Sequence, residues 1–337
     1  MAPLEFLRGL AITLLFAYGI TQILLPGIIE KMRKVGWVSI DVNKPYKRYI
    51  PNLGGLAVLF GFSLALSLVV GVEKLIGVLY EPPFLAVISV FFIAAMIGLI
   101  DDIANMSDKM KIVGLLFASI PLIIVHEAPL VIDITLGYSI DLSNHFYLFW
   151  LIFVPIGVTS AANALNMSAG YNGLESGQVI IISFFVLVIT LIRGDSVATV
   201  FIFGALLGCG IALYQYNRYP SKIFVGNIGT MGIGAAIASG VITGGLEFYG
   251  IICILPAFYE GVATLYYKFI NPKNRRKICR NPTILKNGKL QTPKGAEYFT
   301  LSYFLLSRRP MREKELVNKI LTLYIICGAA ALVLSIL

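Results

Sequence analysis

Four short clusters of polar residues interrupt an otherwise apolar sequence, and their side chains could bind phosphate groups and a metal ion. They span residues 41–55, 101–111, 163–175 and 224–231. Carboxylate and amide oxygens are ligands that Mg²⁺ takes in proteins, with substrate phosphates completing its shell. Lysine and arginine neutralise phosphate charge as it moves during a transfer reaction. The clusters therefore indicate a site for a ligand with dense negative charge, such as a nucleotide-sugar diphosphate.

The candidate side chains of these clusters carry oxygen, ammonium or aromatic groups suited to such a ligand. Lys111 could neutralise phosphate, and the flat ring of Phe224 could lie against a base. The uncharged segments between the clusters offer a route for an acceptor that stays in the bilayer. In chain order the candidates are Asp41, Asn43, Lys44, Asp101, Asp102, Asn105, Lys111, Asn166, Asn172, Glu175, Phe224 and Asn227.

Each cluster also has a purely structural interpretation. Adjacent carboxylates at a helix end can simply be solvated, and Asn163 and Asn166, spaced i and i+3, can form hydrogen bonds between helices. Basic loops often only set topology. Ionisable groups at membrane depth are nonetheless functional by default. Four glycines of the fourth cluster and its continuation could let helices pack closely, a role that suits the last two best: Gly226, Gly229, Gly232 and Gly234.

The composition places most of the chain in lipid. Of 337 residues, 58% are hydrophobic and 13% are charged, with a mean hydropathy of +0.84, whereas soluble domains average about 25% charged residues. Two histidines, His126 and His145, are too few for a His-rich zinc site or a His triad. The first apolar run lacks a basic leader and is long enough to span, so no cleavable signal peptide is expected. The four cysteines form no C-x-x-C pair, and the three that lie in apolar runs are interpreted as small buried residues.

Uncharged runs of about 20 residues, the length that crosses a bilayer as a helix, recur along the chain. They predict an all-α integral membrane protein, a single polytopic domain over 1–337 with about ten transmembrane helices. Alternation around Gly137-Tyr138 predicts a small external β-hairpin at 131–142. The predicted helices are 6–30, 53–71, 83–100, 111–126, 146–163, 177–193, 197–215, 229–245, 248–270 and 318–337.

The cationic residues predict the orientation. Of the 27 Lys and Arg residues, 24 fall in the connections that hold the polar clusters and in the last loop, and the others are Arg8, Lys74 and Arg193. The positive-inside rule places those connections in the cytoplasm and both termini outside. The net charge of +9 is therefore a topology signal, and nucleic-acid binding is not expected. The loop 271–317 is expected to form part of a cytoplasmic active-site cleft.

The motifs resemble a known family, the polyprenyl-phosphate N-acetylhexosamine-1-phosphate transferases. Residues 163–177, N-A-L-N-M-S-A-G-Y-N-G-L-E-S-G, are similar to the long motif of its archaeal and eukaryotic branch, the UDP-GlcNAc–dolichyl-phosphate GlcNAc-1-phosphotransferases. Asp101-Asp102 with Asn105 and Lys111 matches the spacing of that branch. The segment Asp41–Lys44 matches its first loop, and Gly288–Leu290 matches a short element of its last loop.

The resemblance implies an activity and roles for residues. Polyprenyl phosphate would attack the sugar-bearing phosphorus of UDP-GlcNAc and release UMP, the first membrane step of lipid-linked oligosaccharide synthesis for N-glycosylation. Asp101, Asp102 and Lys111 would be catalytic, and Asn166 and Asn227 would hold Mg²⁺, or Mn²⁺ in its place. The implied substrate-binding residues are Asp41, Asn43, Lys44, Asn105, Asn172, Glu175, Phe224, Arg275, Arg276, Lys277 and Arg280.

One position departs from the family pattern. The fourth motif of the family reads F-V-G-D, and this chain has Asn227 in place of the Asp. A neutral amide keeps an oxygen ligand but loses the charge that draws Mg²⁺ out of water. This predicts a chain with the same fold and substrate class but an inactivated site, whether the replacement is engineered or natural.

Two other functions fit the sequence less well. A secondary transporter would show repeated halves with broken helices, and the chain has no convincing internal repeat. A CDP-alcohol phosphotransferase would carry a D-G-x-x-A-R signature, which is absent. Within the family, the donor could be another UDP-N-acetylhexosamine used for a cell-envelope polymer.

The resemblance also sets the expected partners and compartment. The partners are UDP-GlcNAc, polyprenyl or dolichyl phosphate and membrane lipid, with a homodimer left open. The compartment would be the plasma membrane in an archaeon and the endoplasmic reticulum in a eukaryote.

Overall fold

The protein is a bundle of membrane-length helices. The computed structural model describes residues 3–76, 82–125, 131–135, 137–194, 196–269, 281–296 and 299–337. Within these ranges, nine helices are long and apolar enough to cross a membrane. This confirms the prediction of an all-α integral membrane protein.

The helices follow the order of the predicted spans. A π-helical turn at Phe149–Phe153 joins α6 to α7, and with the 3₁₀ turn at Ser143–His145 before α6 they form one continuous span. The helices are α1 (Pro3–Lys34), α2 (Gly55–Ile76), α3 (Pro82–Ala104), α4 (Asp108–Ala118), α5 (Ile120–Val125), α6 (Phe146–Leu148), α7 (Val154–Ser168), α8 (Leu174–Arg193), α9 (Val197–Asn217), α10 (Gly226–Thr243), α11 (Glu247–Phe269), α12 (Leu301–Arg308) and α13 (Glu313–Ile336).

The predicted fourth helix, 111–126, is two short helices rather than one. It divides at Ser119, whose hydroxyl donates to the Leu116 carbonyl at 2.7 Å. Pro121 follows two residues later and has no N–H to continue the helical ladder. Helices α4 and α5 together cover 108–125, close to the predicted range, but each is too short to span a bilayer alone, and neither is among the nine membrane-length helices.

Three helices extend further into the polar clusters than the hydropathy pattern predicted. Helix α3 continues to Ala104, so Asp101 and Asp102 lie inside it rather than after it. Helix α7 continues to Ser168, past the predicted end at 163. Helix α13 starts at Glu313, not at 318. Polar residues thus occupy the terminal turns of membrane helices, where they can face each other.

Three short antiparallel hairpins complete the fold. The predicted hairpin at 131–142 is confirmed, with a register shift near its turn. A second hairpin, whose strands flank the start of the first polar cluster, was not predicted. The strands are β1 (Val38–Ile40) with β2 (Tyr49–Pro51), β3 (Val131–Thr135) with β4 (Tyr138–Asp141), and β5 (Thr283–Ile284) with β6 (Leu290–Gln291).

Helix α10 occupies the centre of the bundle and packs against α2, α3, α7 and α9. Its glycines allow this close approach. A Cβ on Gly232 would lie 2.4 Å from the Phe91 ring, and one on Gly234 would lie 2.6 Å from the Ala161 carbonyl oxygen. The packing interpretation of these two glycines is confirmed. Since α10 also begins in the fourth polar cluster, its tight seating fixes that cluster against the other three.

Candidate functional site

A cavity of about 290 Å³ lies where the four polar clusters meet. It is bounded by β1, the end of α3, the loop after α7 and the start of α10. Five of the predicted site residues line it, and each cluster contributes at least one of them. They are Asp41, Asp102, Glu175, Phe224 and Asn227.

The buried carboxylate of Asp101 is the centre of one hydrogen-bond network. Its Oδ2 accepts from Lys111 Nζ at 3.1 Å and from Asn227 Nδ2 at 2.8 Å. Its Oδ1 accepts from the Met106 backbone amide at 2.8 Å, which ties down the turn between α3 and α4. The Lys111 side chain is 18% exposed, and its ammonium group also lies 3.7 Å from Asp108 Oδ1, so Asp101 is the nearer of two anionic partners.

Asn227 joins this carboxylate to the third cluster. While its Nδ2 donates to Asp101, its Oδ1 accepts from Asn166 Nδ2 at 2.7 Å. The same Asn166 nitrogen donates to Thr230 Oγ1 at 2.9 Å. The direction of the Asn227 amide follows from chemistry, because an ionised carboxylate can only accept hydrogen bonds. The two residues predicted to hold a metal are therefore brought together, but by a hydrogen bond between them.

Asp102, unlike Asp101, binds the backbone at the start of α10. Its Oδ1 accepts from the Asn227 backbone amide and its Oδ2 from the Ile228 backbone amide, both at 3.0 Å. These amides belong to the first turn of α10, whose N–H groups have no partner within the helix. Gly226 just before them has φ +76°, a conformation suited to glycine, and a Cβ there would lie 2.9 Å from Asp102 Oδ2.

A second network holds the first, third and last polar segments together. Asn172 donates from its backbone and from Nδ2 to Glu313 Oε1, at 2.8 Å and 3.0 Å, and from Nδ2 to Asp41 Oδ2 at 3.2 Å. Its Oδ1 accepts from the Ser221 amide at 2.7 Å. Lys44 forms ion pairs with Asp41, at 3.0 Å, and with Glu313. Asn172 and Lys44 therefore lie behind the cavity wall, and their predicted substrate contacts remain predictions.

Glu313 is the residue of this network that the sequence analysis did not select. It is 3% exposed and accepts from both Lys44 and Asn172. An acidic residue just before the final apolar run was a usable signal, but the predicted start of that helix at 318 left Glu313 in a loop. Nearby, burial raises the pKa of the Tyr171 hydroxyl well above its usual value, so this phenol stays neutral at physiological pH.

Two of the predicted site residues form hydrogen bonds with the backbone of Gly170. Asn43 Nδ2 donates to its carbonyl at 2.9 Å, and its amide donates to Glu175 Oε1 at 3.0 Å. Among the described residues, neither Asn43 Oδ1 nor Glu175 Oε2 has a hydrogen-bond partner, although both atoms are buried. Buried acceptors of this kind are costly unless something donates to them. Glu175 lines the cavity, so a donor on a bound ligand could satisfy its oxygen.

The remaining predicted residues occupy three kinds of position. Phe224 is fixed by its backbone, which donates to the Pro51 carbonyl and accepts from the Gly54 amide, both at 2.8 Å, while its half-buried ring lines the cavity. Asn105 is exposed with φ +49° and does not appear among the described cavity-lining residues. The basic residues Arg275, Arg276, Lys277 and Arg280 lie outside the described residues.

The donor set does not fit a Mg²⁺ ion as it is arranged. Mg²⁺ needs several free oxygens in octahedral positions at about 2.0–2.1 Å. Both Asp102 oxygens already accept from backbone amides, and Asp101 Oδ2 accepts from Lys111 and Asn227. Within the described ranges, no group of three or more His, Cys, Asp or Glu side chains could hold a metal ion. Binding a divalent cation would require these hydrogen bonds to break.

The sequence is similar to one protein family and to several known proteins over much of its length. Residues 84–245 match the model of a family described as glycosyl transferase family 4. A putative glycosyltransferase of Methanocaldococcus jannaschii is 29% identical over 329 residues, 96% of this chain and 97% of the relative. The putative UDP-N-acetylglucosamine–dolichyl-phosphate N-acetylglucosaminephosphotransferase of Saccharolobus solfataricus is 33% identical over 268 residues, 78% of this chain and 77% of the relative. The phospho-N-acetylmuramoyl-pentapeptide-transferase of a Hydrogenobaculum species is 23% identical over 259 residues, 67% of this chain and 69% of the relative.

Proposed function

Because this chain belongs to glycosyl transferase family 4, we propose that it transfers a hexosamine-1-phosphate from a nucleotide sugar to a polyprenyl phosphate. The observation that carries the proposal is the convergence of four distant polar clusters on one cavity at the end of a lipid-embedded bundle. A water-soluble donor can reach such a site from the solvent, and a lipid acceptor can reach it from the bilayer. The proposed donor is UDP-GlcNAc and the proposed acceptor is dolichyl-type, since two archaeal relatives carry those names.

The proposed reaction moves one phosphoryl group between oxygens. An anionic oxygen of the acceptor phosphate forms a bond to the sugar-bearing phosphorus of UDP-GlcNAc. The bond from that phosphorus to the bridging oxygen breaks, and UMP leaves with the bonding electrons. A phosphate monoester is already largely ionised at pH 7, since its second pKa is about 6. The acceptor therefore needs orientation and charge neutralisation rather than a general base.

The chain's own residues support these two requirements. Lys111 is the cation nearest the start of α10 in the described network, and it can shift from Asp101 to an incoming phosphate. Both Asp102 oxygens accept from backbone amides, so its contribution is to hold the Asn227 end of the cavity in place. The unpartnered buried oxygen of Glu175 can accept from a sugar hydroxyl or an amide N–H. With Asn227 in this site, turnover is expected to be slow.

The cavity is proposed to face the cytoplasm, with both termini outside, because cationic residues concentrate in the connections at that end. A cytoplasmic site suits a donor made in the cytoplasm. Transfer at this face would begin the assembly of a lipid-linked oligosaccharide for N-glycosylation. Similarity to phospho-N-acetylmuramoyl-pentapeptide-transferases keeps a second candidate open, the transfer of another UDP-linked N-acetylhexosamine for a cell-envelope polymer.

The test is a donor panel with the purified full chain and its Asn227→Asp variant. Each protein is incubated with a UDP-sugar and polyprenyl phosphate. The released UMP is quantified, and the lipid product is identified by mass spectrometry. UDP-GlcNAc should give a polyprenyl-diphosphate GlcNAc, and omission of the lipid should abolish UMP release. Preferential use of another UDP-N-acetylhexosamine would select the second candidate. Absence of both product and nucleotide binding in both proteins would contradict the proposed function.

A further inference from the structure

The side chain of Asn227 connects Asp101 of α3 to Asn166 of α7. We call the set Asp101, Lys111, Asn166, Asn227 and Thr230 the Asn227 bridge. It runs through four hydrogen bonds of 2.7–3.1 Å, from Lys111 to Asp101, from Asn227 to Asp101, and from Asn166 to Asn227 and Thr230. These residues come from α3, α4, α7 and α10. The Asn227 bridge therefore ties four helices together at the cavity.

The charges within the Asn227 bridge already balance. Asp101 contributes one negative charge and Lys111 one positive charge, and the other three side chains are neutral. Every donor–acceptor pair is complementary, because each amide nitrogen faces an oxygen. A carboxylate at 227 would instead place an oxygen near Asp101 Oδ2, where Asn227 Nδ2 now lies 2.8 Å away. Two carboxylates at that separation repel each other unless a proton or a cation lies between them.

We propose that the Asn227 amide does in this chain what a divalent cation would otherwise do: it joins Asp101 to Asn166, so the cavity is assembled and accepts its nucleotide sugar without metal. An amide suits this task because it donates on one side and accepts on the other. A carboxylate only accepts when ionised, so it needs a cation to join the same two neighbours. The nucleotide part of this inference rests on the proposed function, whereas the metal-free assembly does not.

The first experiment measures assembly without any nucleotide. The purified full chain is unfolded by heat in detergent with EDTA, with MgCl₂ or with MnCl₂. The unfolding temperature of the unchanged chain should be the same in all three, because the side-chain oxygens of Asp101 and Asn227 already accept hydrogen bonds within the protein. Asn227→Asp should unfold at a lower temperature in EDTA and recover in Mg²⁺ or Mn²⁺, since a ligand that binds the folded state stabilises it by mass action.

The matched control is Asn287→Asp. Asn287 lies in the exposed turn of the β5–β6 hairpin, and its Oδ1 accepts from the Lys289 amide at 3.1 Å, a bond that an Asp keeps. This variant adds the same charge away from the Asn227 bridge and should show no cation dependence. If Asn227→Asp does not fold, the unfolding temperature of the unchanged chain still tests the proposal. A rise in that temperature with Mg²⁺ or Mn²⁺ overturns the proposal, and no change supports it.

The second experiment measures calorimetric binding of UDP-GlcNAc, used as the probe. Affinity for the unchanged chain should be equal in EDTA and in MgCl₂, whereas Asn227→Asp should bind at least about tenfold more tightly with Mg²⁺ than in EDTA. A Mg²⁺ requirement in the unchanged chain would overturn the inference. If UDP-GlcNAc binds under neither condition, the proposed function fails, and the unfolding experiment still decides the role of the Asn227 bridge.

Discussion

The carboxylate of Asp102 binds the backbone of Asn227, a residue of another helix, and thereby caps that helix. Both of its oxygens are used, on the Asn227 and Ile228 amides at 3.0 Å. A helix N-terminus carries unpaired N–H groups and a partial positive charge. A carboxylate there stabilises the helix both by accepting hydrogen bonds and by its negative charge. The neighbouring Asp101 binds the Asn227 side chain instead. Two adjacent carboxylates thus fix one residue by its backbone and by its amide.

Asp102→Asn should destabilise the protein by about 1–2 kcal/mol, the range for losing a helix cap and its charge. The amide nitrogen of an asparagine would face a backbone N–H, so one hydrogen bond is lost without a change in size. Denaturant unfolding measures the loss. The control is Glu30→Gln, which removes the exposed i,i+4 pair with Lys34 and should cost at most about 0.5 kcal/mol. A smaller loss for Asp102→Asn than for Glu30→Gln would show that the cap is unimportant.

Lys111→Ala should weaken UDP-GlcNAc binding by about tenfold or more, since a charged hydrogen bond contributes roughly 1.5–3 kcal/mol. Lys109→Ala is the control, because Lys109 is exposed two residues away in the same helix and removes an equal charge. Calorimetry measures the UDP-GlcNAc affinity of both variants. A loss confined to Lys111→Ala indicates a direct contact with phosphate rather than long-range attraction by the cationic residues of this region. Equal losses in the two variants would assign the effect to long-range charge.

The membrane fold was predictable because span length and hydropathy depend on local sequence. The break at Ser119 was missed although Pro121 signalled it, since the apolar run continues through both residues. The ends of α3, α7 and α13 were placed too far inside the bilayer. Hydropathy falls at the first polar residues, whereas a helix can continue through polar side chains that form hydrogen bonds with other helices.

The site was predictable as a set of clusters but not as a set of contacts. Residues of all four clusters line one cavity, as the sequence predicted from placing them all on one side of the membrane. The pairing of Asn227 with Asp101 could not be read from the sequence, because it joins positions on α10 and α3 that only packing brings together. The same holds for Glu313, whose partners Lys44 and Asn172 belong to two other clusters.

Lys44→Met should destabilise the protein by about 3–5 kcal/mol, the cost of breaking a buried ion pair. The Lys44 side chain is 4% exposed and forms ion pairs with two buried carboxylates, those of Asp41 and Glu313. The double variant Lys44→Met with Glu313→Gln should cost less than the sum of the two single variants, since Glu313→Gln removes one of the two carboxylates that Lys44→Met leaves without their cation. The exposed pair of Arg309 and Glu315 is the control and should contribute about 0–1 kcal/mol. Strict additivity in the Lys44–Glu313 cycle would contradict the coupling.

Gly98→Ala should destabilise the protein by about 1–3 kcal/mol, as overpacking does, and should also weaken UDP-GlcNAc binding. A Cβ at Gly98 would lie 2.2 Å from the Asn227 carbonyl oxygen, so the first turn of α10 would have to move. Gly157→Ala is the matched control in helix α7, because nothing lies within 4 Å of a Cβ there. That change should be neutral or stabilising, since alanine favours helix more than glycine. Thermal unfolding and calorimetry on both variants test the contrast, and equal behaviour would exclude the steric explanation.

Asn227→Asp should increase Mg²⁺-dependent UMP release by at least about tenfold, because a metal ion that stabilises developing charge acts on turnover. The variant places a third carboxylate beside Asp101 and Asp102, and it removes the amide that now donates to Asp101. Asparagine and aspartate are nearly the same size, so packing is held constant. UMP release at saturating UDP-GlcNAc and polyprenyl phosphate, measured over a magnesium titration, reports turnover directly. Asn287→Asp again controls for added charge and should leave the rate and its magnesium dependence unchanged. Equal turnover in the unchanged chain and Asn227→Asp at every magnesium concentration would show that a carboxylate at 227 does not limit the reaction.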